Sequence, residues 1–460
     1  MSQRPPADAA TPPSVNLISL GCPRTLVDSE HHLGRLQQSG FRVAKDAEGS
    51  DVVIINTCSF VQDAIKESID TILQTIELKK QGKIKAVIVA GCLVQRFKDG
   101  LIKELPEVDG FLGADGFTEI ETIVEKALAG KRPSSLRKRP RTMQWEEGNI
   151  RAPLSPRHYA YLKVSEGCRK GCSFCIIPKI KGPLVSRAIE SLVKEARQLV
   201  AERQIKELIV VGQDTSDYGL DIYGRPRIAD LLRELARIED LRWIRLLYCH
   251  PAGLSDEIID VLRDEPRVCK YLDIAIEHAD DRMLTRMNRI TTQAHLRERI
   301  QRLRSAVPGI ALRTSIVVGF PGETDEAFEN LLRFVEEIRF ERLGGFTYSR
   351  EEGSASYQYP NQVPESVAKE RLERLMQVQQ VIASDMNAQL IGRTLPVVID
   401  EPDPDDPQQF IGRTSADCPD VDGAVFVKSP ELLQPGTWVS VQITDSYEYD
   451  LVGAVAGSAA

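Results

Sequence analysis

The chain has 460 residues, 42% of them hydrophobic and 27% charged, with a formal net charge of −8. That length allows two or three domains, each with its own core. No stretch reaches the ~18 apolar residues of a membrane span, and the acidic balance argues against nucleic-acid binding over the whole surface, though not against a local basic patch.

Residues 1–14 are Pro/Ala-rich and polar and read as a disordered tail, with no basic-then-apolar leader. A cytoplasmic location is therefore expected. There the nine cysteines stay reduced, and clustered ones serve metals or catalysis rather than disulfides.

From Val15 to about residue 130, short apolar runs alternate with amphipathic stretches. Val15–Leu20, Asp51–Asn56 and Ala86–Ala90 read as strands. Thr25–Gln38, Val61–Lys80 and Gln95–Leu105 read as helices. Continuous β-branched runs between helices predict a parallel sheet covered on both faces. Each strand is followed at once by a cysteine: Cys22, Cys58 and Cys92. Strand ends of a parallel sheet share one edge, where ligands bind. One such cysteine would be a small buried hydrophobe; three at the same strand-end position predict a metal site that lacks an obvious fourth ligand.

Residues 131–157 read as a linker, with Pro133, Pro140, Pro153 and Pro156. Its stretch Lys131–Arg141 has six Lys/Arg and no acid, as in a solvated linker or a contact with RNA or an acidic partner.

The βα alternation resumes over residues 158–392. Strands are expected at Tyr159–Val164, Glu207–Val211, Trp243–Leu247, Tyr271–Ile276, Leu312–Val318 and Leu343–Thr347. Helices are expected at Ile189–Arg203, Ile228–Ile238, Ser255–Arg263, Thr292–Ala306 and Asp325–Ile338. Six βα units predict a partial barrel with its chemistry at the C-terminal ends of the strands. Directly after the first strand lies Glu166-Gly-Cys-Arg-Lys-Gly-Cys-Ser-Phe-Cys-Ile-Ile-Pro178. Its Cys168, Cys172 and Cys175 form a C-x3-C-x2-C group. A structural zinc site wants four protein ligands, and no fourth Cys or His is near. A four-iron cubane held by three thiolates keeps one iron open. Other loops at the same face carry Gly212-Gln213-Asp214, Glu277-His278 and Gly319-Phe-Pro-Gly322. Glycines there let a backbone pass close to a nucleotide-like ligand, and Gln, Asp or Glu bind its amine and hydroxyls. His278 reads as structural. Cys249, Cys269 and Cys418 are isolated and read as packing residues.

Glu365–Leu390 reads as one long amphipathic helix. Residues 393–457 turn to short strands, Leu395–Ile399, Gln409–Arg413, Ala424–Val427, Trp438–Thr444 and Leu451–Val452, which predict a small β-barrel. From Pro396 to Asp450 there are twelve Asp/Glu against two Lys/Arg. A barrel that grips RNA through phosphates should be basic; this one suits a basic protein partner, or is only a soluble acidic surface.

With these residues in hand, the chain resembles the methylthiotransferase family of radical S-adenosylmethionine (SAM) enzymes along nearly its whole length. The segments that carry the resemblance are Ser19-Leu-Gly-Cys-Pro-Arg-Thr-Leu-Val-Asp-Ser-Glu30, Cys175-Ile-Ile-Pro178, Gly212-Gln-Asp-Thr215, Gly319-Phe-Pro-Gly-Glu-Thr324, Phe346-Thr-Tyr-Ser349 and Tyr449-Asp-Leu-Val-Gly453. The resemblance is to the branch acting on ribosomal protein uS12. The transfer-RNA branch usually has a Cys-Gln-Met-Asn type segment in place of Cys22-Pro-Arg-Thr25. One departure is Glu277, where the branch normally has glutamine; the carboxylate keeps acceptors but loses the amide donors.

The fold this implies is α/β: an N-terminal parallel-sheet domain, a central partial (β/α)6 radical SAM barrel and a small C-terminal all-β TRAM barrel. The implied cofactors are SAM and two [4Fe-4S] clusters, one on Cys168, Cys172 and Cys175 and one on Cys22, Cys58 and Cys92. Gly212, Gln213, Asp214, Glu277, Gly319 and Gly322 would contact SAM, and no side chain beyond the clusters would be catalytic. The implied reaction consumes two SAM. One yields a 5'-deoxyadenosyl radical that takes a hydrogen from the β-carbon of a uS12 aspartate; the other methylates the sulfur that is then added. Implied partners are uS12, free or in the small subunit, and an electron donor such as flavodoxin or ferredoxin, with no membrane and no transfer RNA. The alternatives are the same chemistry on a transfer-RNA adenosine, and a metal-stabilised RNA-binding module without catalysis. Glycine-rich loops at the ligand face argue against the module, and the acidic tail argues against transfer RNA.

Overall fold

A computed structural model describes residues 12–114, 116–136 and 151–456. It divides into two compact units, residues 1–154 with 179–181, and residues 155–178 with 182–460. No helix among the described residues is long and apolar enough to cross a membrane.

The first unit is a six-stranded sheet of β1 (Ser14–Ser19), β2 (Arg42–Val43), β3 (Val52–Thr57), β4 (Ala86–Gly91), β5 (Gly110–Gly113) and β6 (Ser134–Ser135). The strands lie in the order β2-β1-β3-β4-β5-β6, and every pair is parallel. Successive side chains of a strand face opposite sides, which explains the unbroken apolar runs. Val52 and Ile54 join one core with Leu33, Leu36, Ile123 and Val124. Val53 and Ile55 join the other with Ile72, Ile76, Leu93 and Leu101. The helices α1 (Pro23–Gln38), α2 (Gln62–Lys80), α3 (Cys92–Glu104) and α4 (Ile120–Leu128) supply those partners.

Three strands, β2, β5 and β6, go beyond the expected set, being too short to carry a period. Strand β6 falls inside the expected linker and pairs with Phe111 and Leu112. Arg132, from the basic run, donates to the carbonyls of Val108 at 2.9 Å, Leu105 at 2.6 Å and Ile102 at 2.7 Å, so it ties down the sheet edge rather than a partner. Arg137–Arg141 and Pro140 lie outside the described residues. At the far end Arg151 pairs with Glu30 of α1 at 2.6 Å, both side chains buried.

The second unit opens with six parallel strands, β7 (Tyr159–Lys163), β8 (Glu207–Val211), β9 (Trp243–Cys249), β10 (Val268–Ile274), β11 (Ala311–Val318) and β12 (Arg342–Thr347). They run side by side in chain order, all parallel. The crossover helices pack outside them in one apolar core that includes Leu192, Leu232, Ile258, Leu303 and Leu331. A long helix, Glu365–Ala388, leads to a closed five-stranded barrel of β13 (Thr394–Pro402), β14 (Gln409–Arg413), β15 (Val425–Lys428), β16 (Trp438–Ser446) and β17 (Leu451–Val455).

The acidic count of this small barrel acquires a structural explanation. Asp422 accepts from the Tyr271 hydroxyl at 2.7 Å and pairs with Arg313 at 3.3 Å. Asp417 pairs with Arg342 at 3.0 Å. Tyr159 donates to Asp420 at 3.4 Å, and Asp400 meets His158 at 2.6 Å. Arg245, fully buried, bonds Glu207 at 3.1 Å and the Ser415 carbonyl at 2.8 Å. The partners all stand at the first to fourth positions of their strands or just before them. The 414–422 loop therefore stoppers the N-terminal mouth of the six-stranded barrel, and four of the twelve carboxylates counted in the sequence are used against that barrel.

Candidate functional site

Strand β7 leads straight into the loop of Cys168, Cys172 and Cys175, at the end of the barrel opposite the stopper. The Cys175 amide donates to the Cys172 carbonyl at 3.1 Å, which folds the last two cysteines into one tight turn. The Cys168 thiol accepts from the Lys170 amide at 3.3 Å. The Cys172 thiol accepts from the Arg289 guanidinium at 3.3 Å. Burial pushes Cys168 up to about 11 and Cys175 up to about 12, with the neighbouring thiols adding to the effect. Lys170 is held by Asp217 at 2.9 Å and Asp214 at 3.5 Å.

The other expected contacts divide by what holds them. Asp214 accepts from the Ser216 amide at 3.0 Å and the Ser216 hydroxyl at 2.5 Å, and burial raises its carboxyl. Its carboxylate thus builds the loop after β8 and anchors Lys170. Gln213 donates to Glu166, which also receives fully buried Lys163; the Gln213 carbonyl oxygen is buried without a partner among the described residues. A Cβ on Gly212 would meet the Ser165 hydroxyl at 2.8 Å, one on Gly319 the Ala368 Cβ at 2.4 Å and one on Gly322 the Arg286 Nε at 2.8 Å. At all three positions protein neighbours already crowd a side chain. Glu277 takes a left-handed φ of 66°, bridged to β11 through its amide on the Ser315 carbonyl at 2.9 Å. Tyr248, at the end of β9, has a φ of 59°. Backbone strain of this kind in non-glycine residues gathers at functional sites. Burial raises the Glu277 carboxyl, with Arg289 opposing. His278 is fully buried, its Nδ1 accepting from the Ala279 and Asp280 amides at 2.9 Å, a structural arrangement. Cys249, Cys269 and Cys418 are buried.

In the first unit Cys22, Cys58 and Cys92 follow β1, β3 and β4, three strands that are neighbours in the sheet. The strand order reverses between β1 and β3, the switch point where parallel sheets open a crevice. A Cβ on Gly21 would meet the Cys58 Cβ at 2.7 Å and its sulfur at 3.1 Å, so the chain turns after β1 directly against Cys58. The Arg24 Nε donates to the Cys22 sulfur at 3.3 Å. Burial raises the Cys22 thiol, but the Arg24 charge and hydrogen bond outweigh it and leave it lowered to about 7.

Among the described residues no three His, Cys, Asp or Glu side chains converge on a single ion. Thiolates bound to separate irons of a cubane have no need to. Both sets fit a group that demands thiolate ligands, since each has a cationic donor on one sulfur. The sequence reading missed Arg24, Arg289, Lys170 and the Lys163–Glu166 pair. Arg24 and Lys170 lie within the quoted motifs; Arg289 is far along the chain and carries no local signal.

Fold and site together define a radical SAM enzyme with an added N-terminal cysteine domain and a TRAM barrel. The sequence profiles agree: Radical SAM superfamily over residues 162–335, Uncharacterized protein family UPF0004 over 14–113 and TRAM domain over 391–456. The "Ribosomal protein uS12 methylthiotransferase RimO" of Geotalea uraniireducens is 45% identical over 96% of this chain and 98% of its own. That of Caldanaerobacter subterraneus is 45% identical over 96% and 99%, and that of Clostridioides difficile 43% over 96% and 98%. The chain belongs to the uS12 methylthiotransferase (RimO) family. Among solved structures, the radical SAM methyltransferase TsrM from Kitasatospora setae, with tryptophan and a SAM analog bound, matches 83% of this chain and 77% of its own. The TM-score is 0.55 at 15% identity, a likeness of fold alone.

Proposed function

We propose that this chain methylthiolates the β-carbon of an aspartate of ribosomal protein uS12, in the cytoplasm, drawing electrons from a donor such as flavodoxin or ferredoxin. The observation that carries this reading is the pair of three-cysteine sets, each at the ligand-binding edge of its own parallel sheet. Clusters with one open iron supply, when bound, one-electron cleavage of SAM at one set and carriage of the transferred sulfur at the other. Cys168, Cys172 and Cys175 would hold the first, and Cys22, Cys58 and Cys92 the second.

Around the first set, Gln213 offers to the SAM amine a buried carbonyl oxygen that has no partner among the described residues, with Glu166 and Lys163 fixing the amide's orientation. Glu277 faces the same region, its strained backbone held by β11. Asp214 acts through Lys170, keeping the cysteine loop in place. Gly212, Gly319 and Gly322 keep the loops low enough for SAM to lie across the strand ends.

The test incubates the anaerobically reconstituted enzyme with SAM, a low-potential reductant, a sulfur source and either uS12 or transfer RNA. Mass spectrometry is expected to find the methylthio group on a uS12 aspartate. A gain on transfer RNA alone would sink this reading.

A further inference from the structure

We infer that Arg289 sets the reduction potential of the group held by Cys168, Cys172 and Cys175; this rests on the reading of that set as a cluster site. The segment Arg286–Arg289 follows the helix Asp281–Arg286 and is stitched to the cysteine loop. The Ser173 amide donates to the Met287 carbonyl at 2.9 Å. The Ser173 hydroxyl donates to the Arg286 carbonyl at 2.9 Å, and the Asn288 amide group to the Gly171 carbonyl at 2.7 Å. Asn288 takes a left-handed φ of 55°, and this turn delivers Arg289 to the cysteines.

Three neutral hydrogen bonds already hold the segment, so a clamp alone has no need of a fourth, charged one. Yet Arg289 is only 6% exposed. One terminal nitrogen bonds the Cys172 sulfur at 3.3 Å, the other the Ala275 carbonyl, and its Nε has no partner among the described residues. Burying a guanidinium costs free energy unless a negative charge compensates it. The thiolate of Cys172, in direct contact, and the Glu277 carboxylate are the charges that face it. Lys170 of the cysteine loop is neutralised by Asp214 and Asp217, and the hydrogen bond that Cys168 receives is from a neutral amide. Arg289 therefore stabilises the more negative, one-electron-reduced state over the oxidised one. Hydrogen bonds to the sulfurs and net charge are the levers that set such potentials.

The experiment is a redox titration of full-length reconstituted protein with a low-potential one-electron reductant. It follows the electron paramagnetic resonance signal that shifts on adding SAM and so belongs to this set. Arg289→Gln is expected to lower the ratio of reduced to oxidised cluster about tenfold at fixed potential, a fall of about 59 mV. Arg289→Lys, which keeps the charge, is expected to recover most of it. Asn288→Gly removes a clamp bond but keeps the left-handed turn, and is expected to leave the potential where it is. An unchanged potential in Arg289→Gln at full iron content overturns the inference. So does loss of the SAM-responsive signal in both Arg289 variants, since the residue then builds the site rather than tunes it. If the unmodified enzyme itself gives no SAM-responsive signal, the cluster reading fails, and that failure is separate.

Discussion

Cys168, Cys172 and Cys175 occupy one loop, whereas Cys22, Cys58 and Cys92 come from three strand ends that only the folded sheet brings together. The first set carries its geometry in local sequence and is then trimmed by remote residues such as Arg289. The second has almost no local definition, and its positions depend on strand order. Electrostatics single out one thiol. Burial pushes up Cys168 and Cys175 of the loop and also Cys58 of the sheet edge, while Cys22, beside Arg24, is drawn down to about 7. A site built from topology is sensitive to the sheet; a site built from a loop is sensitive to what packs against it.

The largest expected effect separates the two sets by function. Replacing any one of Cys168, Cys172 or Cys175 with Ala should abolish SAM cleavage, read as 5'-deoxyadenosine by chromatography. Replacing Cys22, Cys58 or Cys92 should leave cleavage but stop methylthio transfer. In both cases iron and sulfide should fall by about half relative to unmodified enzyme with two four-iron clusters. If all three of Cys22, Cys58 and Cys92 can be changed to Ala with no loss of iron, the sheet-edge set is not a metal site.

Backbone tolerance sharpens the contrast. Gly21 has a φ of 90°, and an added Cβ would strike Cys58. Gly21→Ala should cost about 3 kcal/mol in urea unfolding. In the loop, Gly171 would meet only the end of the Asn288 side chain at 3.0 Å, so Gly171→Ala should cost less than about 1 kcal/mol. Equal costs would remove the distinction.

Thiol reactivity in the metal-free, reduced protein gives a milder readout. At pH 7.5 Cys22 should alkylate at least tenfold faster than Cys168 or Cys175, by about the difference in thiolate fraction offset by lower nucleophilicity. Arg24→Gln should slow Cys22 toward the others, as peptide mapping by mass spectrometry would show.

The smallest effect concerns acid. His250 is buried, and burial first, then the charges of Arg289 and Lys170, lower it to about 2. Its Nδ1 accepts from the Ala252 amide at 3.2 Å, so the neutral form is the folded one. The unfolded chain takes up a proton near pH 6.5 and the folded one does not, so stability falls as pH drops below about 6.5. At pH 5.5 this amounts to about 1.4 kcal/mol. His250→Asn should flatten that part of the pH dependence of urea unfolding; an unchanged slope would mean the imidazole is protonated in the fold.

Much of this was legible in the sequence because the signals were local. The six barrel strands and the helices between them stand within a few residues of their apolar runs, and the strand-end cysteines needed only the βα alternation to be grouped. What escaped was set by tertiary contact. Strands of two residues carry no period, so Ser134–Ser135 passed for linker. The protein neighbours that crowd Gly212, Gly319 and Gly322, namely Ser165, Ala368 and Arg286, come from distant sequence. The acidic count of the last domain overstated its free surface, because Asp400, Asp417, Asp420 and Asp422 are spoken for by residues up to hundreds of positions away.

That loop of carboxylates bears on how far the chain can be shortened. Cutting before Thr394 would take Asp417 from Arg342, Asp422 from Arg313 and the Ser415 carbonyl from Arg245, leaving Arg313 with Asp273 and Arg245 with Glu207. Removing one member of a buried ion pair costs about 3–5 kcal/mol, comparable to the whole stability of many domains. The last domain is thus also a structural lid on the radical SAM barrel: its removal would yield not a minimal catalyst but a destabilised barrel.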